Sequence, residues 1–258
     1  MISFVELPKY EELTDEEVMA WSPEEFAQRL IRRSEMFGEA FFRKDAWRVV
    51  ELDEEAKRKG LLELSARLAW REFYNGVHPP SKQIVMLESD PETIGIRIRL
   101  AQQIIDEVQH QRIWSQWAKH YGGSARLQDY EVSPEVIKQF QLTSNYDDPA
   151  EIALALQCTG EPILVFLFGY GTLNPEESIT YSILPEDLRS DIEKSVVADE
   201  PRHIAVGRDI MIKHCGDAAK RRHLLKLQST KLENTIKIMT RDMELLGAER
   251  IAPFPKIG

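Results

Sequence analysis

Ile105-Asp106-Glu107-Val108-Gln109-His110-Gln111 decides how this chain reads, because its centre returns as Ala198-Asp199-Glu200-Pro201-Arg202-His203-Ile204. Both copies spell Asp-Glu-x-x-His. A Glu and a His three residues apart project from one face of an α-helix, so each copy offers a carboxylate and an imidazole to a metal ion. The wheel surrounds them with apolar residues. Ile96, Leu100, Ile104 and Trp114 share the face of Glu107 and His110, while Val196, Ile204 and Met211 share that of Glu200 and His203. Ionisable groups on an apolar stripe are costly to bury unless they are paired or metal-bound. Surface ion pairs, the plainer alternative, call for polar neighbours instead. The pattern predicts two metal-binding helices that face a common core.

A bundle with Glu-x-x-His on two helices needs one further carboxylate from each of two others to complete a dinuclear centre. Four carboxylates also balance two divalent cations. Glu161 is the only acidic residue between Ile152 and Asn174, with Leu154, Cys158, Val165 and Phe168 around it on the wheel. For the remaining helix, Glu72 falls about 20° from Leu61 and beside Leu68, whereas Glu63 falls about 200° away, where Lys59 and Arg67 can pair with it. Glu72 is the expected ligand and Glu63 the alternative. Gly76 and Pro79-Pro80 are expected to interrupt this helix after Asn75, so residues 81–89 must continue it for Glu72 to stand level with Glu107. Each histidine needs an acceptor for its second ring nitrogen. Asp106 points away from its own His110 and is expected to reach His203, with Asp199 reciprocating to His110. Trp114, Val165, Phe168 and His214 are candidates to line a pocket.

The other 258-residue features suit an all-α chain: 43% hydrophobic residues, 13 glycines, 13 prolines and little strand-forming alternation. One domain over residues 1–258 is expected, its core bundle spanning about 46–215. Net charge of -10 without a basic run argues against nucleic acid or anionic membrane as partner. Cys158 and Cys215 make no disulfide framework, and Met1 to Tyr10 lacks a signal-like apolar run, so a cytoplasmic protein is expected. Ile152 to Tyr170 is the most apolar stretch, but Gln157, Glu161 and Pro162 mark it as a buried helix. Capping signals divide the chain further. Ser22-Pro23-Glu24-Glu25 opens a helix to about residue 40, expected outside the main bundle. Asp45 or Asp53 caps the helix of Glu72. Asp90-Pro91 starts one that ends near Gly122-Gly123, and Asp148-Pro149 one that ends near Gly169 or Gly171. Residues 186–215 and 217–247 form the last two, and 253–258 an extended tail.

The order Glu72, Glu107-x-x-His110, Glu161, Glu200-x-x-His203 resembles the ferritin-like di-iron carboxylate proteins, over residues about 46 to 215. The doubled Asp-Glu-x-x-His looks most like bacterial multicomponent monooxygenases and the catalytic subunit of phenylacetyl-CoA epoxidases. Arylamine N-oxygenases and ribonucleotide reductase small subunits are more distant. The resemblance implies a ferritin-like four-helix bundle with added N- and C-terminal helices, and two iron ions, although manganese also suits these ligands. It further implies O2 activation and oxygenation of a small, largely apolar organic substrate, with electrons from a separate reductase or ferredoxin, in a homo-oligomer. A ferroxidase or iron-storage protein, or a non-catalytic structural subunit, is the alternative. Two departures stand out. Val165 occupies the position of a Thr in the multicomponent oxygenases, and Trp114 that of the radical-forming Tyr in the reductase subunits. Pro162 and Pro201 each follow a candidate Glu, which predicts a kink or bulge beside the site.

Overall fold

The computed structural model describes residues 7–88, 91–124, 126–167 and 175–257. The chain is mostly helical, 79% helix against 4% strand. In order it forms α1 (Asp15–Met19), α2 (Pro23–Phe42), β1 (Trp47–Val49), α3 (Glu54–Arg71), α4 (His78–Met86), α5 (Pro91–His120), α6 (Pro134–Ser144) and α7 (Pro149–Ala155). Then come α8 (Glu161–Leu167), α9 (Ile179–Ile183), α10 (Glu186–Ile192), α11 (Glu200–His214), α12 (Ala218–Leu245) and β2 (Ala248–Arg250).

Polar side chains open these helices where the caps predict. Asp53 accepts from the Ala56 N–H at 2.7 Å, Asp148 from Ala150 at 2.8 Å and Asp217 from Lys220 at 3.0 Å. Asp45 instead pairs with Arg43. Gly216 and Gly247, at φ 64° and 78°, follow the ends of α11 and α12 in the left-handed region that glycine adopts without strain. Asp90, Phe168, Gly169 and Gly171 lie outside the described residues.

The break expected at Gly76 and Pro79-Pro80 does not occur. A π-helical turn, Glu72–Val77, carries α3 directly into α4. Two more π turns, Leu156–Gly160 and Glu193–Val197, lie before α8 and α11. Proline explains all three. It cannot donate to the carbonyl four residues back, and for Pro79, Pro80, Pro162 and Pro201 those carbonyls belong to Asn75, Gly76, Cys158 and Val197. Every one lies within a π turn, where the wider bonding pattern replaces the ordinary partner. Glu72 begins one such turn, Glu161 follows another directly and Glu200 comes three residues after the third.

These helical runs, 54–86, 91–120, 149–167 and, with a turn at 198–199, 186–214, ring the candidate residues. α5 packs along α3 and α4 on one side and α11 on the other, α11 packs on α7, and α7 meets α4. The 149–167 run is long and apolar enough to cross a membrane, yet 78% of that apolar stretch is buried within the protein. α2 stands outside that ring, as its position suggests, but it is not loosely attached. It lies against α8 and α11, with Phe26, Phe37, Phe41 and Phe42 fully buried, because four phenylalanines on one helix need a large apolar partner surface. α12 crosses α3, α6 and α7. Its C-terminal continuation, β2, pairs antiparallel with β1, Trp47 opposite Arg250, a ribbon that the sequence reading lacks. α6 is a second element that the sequence reading lacks, and its Gln139 and Thr143 wall the site.

Candidate metal centre

Glu107 sits at the middle of the cluster. Its carboxylate Oε2 is 3.4 Å from His110 Nδ1 and its Oε1 is 3.4 Å from His203 Nδ1. Glu72, Glu107 and His110 each offer an atom, all within 4.8 Å of one another, and Glu107, Glu161 and His203 do the same. Glu200 joins through Oε2, 3.3 Å from His203 Nδ1. All six side chains are at most 9% exposed. These groups can hold a metal ion. Glu63, the alternative to Glu72, is 48% exposed and pairs loosely with Arg67 and Arg241 on the surface.

The two histidines present the cluster with their Nδ1 atoms and turn Nε2 outward. His110 Nε2 is 3.3 Å from Asp199 Oδ2, and His203 Nε2 is 3.3 Å from Asp106 Oδ2. Each Asp thus serves the histidine of the other copy. Arg202 bonds to both aspartates and ties this exchange together on the outside. Neither histidine Nδ1, nor Glu200 Oε2, has a well-formed hydrogen bond among the described residues, although all three are buried. Such atoms are exceptions in folded proteins and point to something else that satisfies them.

Electrostatics follow from crowding. Burial first, then the neighbouring Glu107 charge, pushes Glu72 up to about 8. Burial and the charges of Glu200 and Glu107 lift Glu161 well above the ordinary carboxylate range. For His110 and His203, burial opposes the charge but loses to the surrounding acids: Glu107 and Glu72 bring His110 to about 9, and Asp106 and Glu200 bring His203 to about 10. Burial also works against the Asp106 charge, yet His203, Gln102 and Arg202 together hold it near 2. Glu72, Glu161 and both imidazoles thus hold protons more firmly than such groups usually do, and a bound cation would take over that charge-balancing role.

Several residues of the site escape the Glu-x-x-His signal. Gln103 donates to Glu107 Oε1 at 3.2 Å and to Glu161 Oε1 at 3.1 Å. It accepts from Gln157 Nε2 at 3.1 Å, which also bonds to Gln83 at 2.8 Å, forming a chain of three buried amides. A glutamine one turn before each of Glu107 and Glu161 in an apolar stripe was the available clue. Gly76 is a second omission. A Cβ there would lie 2.6 Å from Glu107 Oε2, so only glycine lets the carboxylate come this close to the π turn.

The pocket candidates need correction. A cavity of about 80 Å³ reaches Glu72, Glu107 and Glu161, but it opens towards α6 and α12, with Gln139, Thr143, Lys231 and Thr235 in its wall. Trp114, Val165 and His214 do not line it. Trp114 is fully buried and donates its indole N–H to Glu72 Oε1 at 3.0 Å. Val165 is half-buried; Ile163 and Leu164 face the cavity instead. His214 ends α11, about 16 Å along the helix from His203. Phe168 lies outside the described residues. Comparison with family models, curated proteins and solved structures finds no match for this chain.

Proposed function

We propose that the protein is a ferritin-like four-helix bundle that holds two iron ions and works as an O2-activating monooxygenase. Its substrate would be a small, largely apolar organic molecule, and its electrons would come from a separate reductase or ferredoxin. One observation carries the metal reading: both histidines keep a buried Nδ1 aimed at carboxylates without a proper hydrogen bond, while the opposite motif's Asp fixes the other nitrogen. Imidazole nitrogen and carboxylate oxygen suit iron, and manganese as well.

Glu72, Glu107, His110, Glu161, Glu200 and His203 would hold the pair, Glu107 contributing to both halves. Bound iron supplies the O2 and electron chemistry. Asp106 and Asp199 keep the imidazole rings oriented and their Nδ1 atoms free of protons when a cation is present. Gln103 holds Glu107 and Glu161 in place through its amide N–H groups. Leu68, Leu156, Ile163 and Met239 exclude bulk water from the cavity beside the carboxylates. A largely apolar cavity of about 80 Å³ that reaches the cluster favours small-molecule oxidation over iron storage.

Anaerobic loading with Fe(II) should give about two iron ions per chain. With reductant and labelled O2, a panel of aromatic, alkene and amine compounds should yield a labelled product. Excess Fe(II) and air should not produce a mineral core. Continued uptake of many irons per chain would replace the oxygenase reading with a storage one.

A further inference from the structure

The cavity that reaches the cluster also carries a buried cation. Lys231 on α12 is 2% exposed, and its ammonium group donates to Thr143 Oγ1. An ammonium has three N–H donors, yet Thr143 is its only acceptor among the described residues and no carboxylate there comes within ion-pair distance. Most buried lysines are neutralised by an acid, because an unpaired buried charge is costly. Burial does push this amine down to about 7, with the Glu161 charge working against the shift. Nearby on the same cavity, Arg71 commits Nη1 to Asp242 at 3.0 Å but leaves Nη2 buried without a partner. Asn75 Oδ1 is also buried and unpartnered. The remaining wall is apolar, formed by residues such as Leu156, Ile163, Leu164 and Ile238. Lys231, Thr143 and Arg71 thus put N–H and O–H groups on the wall of a cavity that also reaches the carboxylates of Glu72, Glu107 and Glu161, with hydrocarbon among them. The space is several times the roughly 10–15 Å³ that one water requires.

We propose that this cavity binds a small organic acid, its carboxylate held by Lys231 beside Thr143 and its apolar body directed at the Glu72, Glu107 and Glu161 face. This assignment rests on the oxygenase reading for its meaning as a substrate, but it makes a binding claim of its own. A carboxylate supplies the acceptor that Lys231 lacks, and the pair becomes a charge-assisted hydrogen bond in a site sheltered from water. Lys231 thereby sets specificity: an amide or alcohol of the same shape leaves the ammonium unmatched.

Benzoate and butanoate, each against its primary amide, are the probes. Binding to the full-length chain is followed by calorimetry or ligand-observed NMR, without O2 or reductant, on native protein and on Lys231→Met. The acids should bind native protein at least about tenfold more tightly than the amides. Lys231→Met should lose that preference while keeping its iron content and circular dichroism. Thr143→Val, which keeps the lysine and removes its partner, should weaken acid binding less. Equal binding of acid and amide to native protein overturns the assignment. So does undiminished benzoate affinity in Lys231→Met, since the carboxylate would then sit on the metals. The acid-to-amide comparison needs no variant, so it stands even where Lys231→Met fails to fold. A chain that binds benzoate through Lys231 but oxygenates nothing keeps this inference and loses the oxygenase reading.

Discussion

The two Asp-Glu-x-x-His copies begin alike and diverge one turn to either side. In both, the Asp crosses to the histidine of the other copy. One turn past the histidine, however, the first copy has Trp114 and the second has Gly207. Trp114 fills its end of the cluster and bonds to Glu72, whereas Gly207 admits Gln157, whose Cβ would lie 2.1 Å from any Cβ placed there. One turn before the glutamate stand Gln103, which serves two carboxylates, and Val196, which has no amide to give. Glu200 retains a buried oxygen without a partner, and the cavity opens on the other three carboxylates. A repeated motif predicts ligands in pairs; the residues one turn away decide what each ligand can do.

The largest test of this inequality is Glu107→Ala. Glu107 belongs to both groups of candidate ligands, so its loss should bring metal content close to zero, while Glu72→Ala and Glu200→Ala should each retain about one ion. Elemental analysis that finds the three variants equally depleted makes the halves equivalent.

Lys231→Met probes the cavity side through stability. The folded chain holds this amine at about 7 against an ordinary 10.5. Between those values the unfolded chain binds more protons, so stability rises with pH across that window, and the penalty is complete below pH 7. The variant should gain up to about 4 kcal/mol near pH 6 and almost nothing above pH 11. Denaturant unfolding at the two pH values checks this. A gain that does not depend on pH would mean that packing, rather than charge, is what changed.

Among the orienting groups, Asp106→Asn should weaken metal affinity about tenfold to a hundredfold. Asp199→Asn should cost less, since Asp199 is 22% exposed and Asp106 only 5%. Competition against a chelator ranks them, and the reverse order would move the stronger support to the first copy. The smallest effect belongs to Trp114→Phe. It removes one hydrogen bond to Glu72 and should lower stability by about 1 kcal/mol with metal content unchanged.

Six ligand candidates and the crossed Asp–His pairs could be read from the chain, because helical spacing translates directly into faces. Glu72 could be separated from Glu63 for the same reason. The pocket could not, since it depends on how α6 and α12 pack against the helices that carry the candidate ligands, and no periodicity within α5 or α8 carries that information. Trp114 illustrates the limit: its face was readable, but whether its ring would line a void or fill one was not. The prolines at 79, 80, 162 and 201 signalled irregular turns, yet an expected break at Gly76 became a π turn because the next helix could continue through it. Lys231 shares a buried helix face with Leu224, Gln228 and Ile238, and only the packing that brings a cavity to that face distinguishes it from an ordinary lysine.

Iron-edge anomalous diffraction from crystals loaded anaerobically with Fe(II) tests the central claim most directly. The account predicts two peaks per chain, one bordered by Glu72, Glu107 and His110 and the other by Glu107, Glu161, Glu200 and His203, with both absent from Glu107→Ala. No peak among these side chains in the loaded native protein, or iron bound only elsewhere, would contradict it.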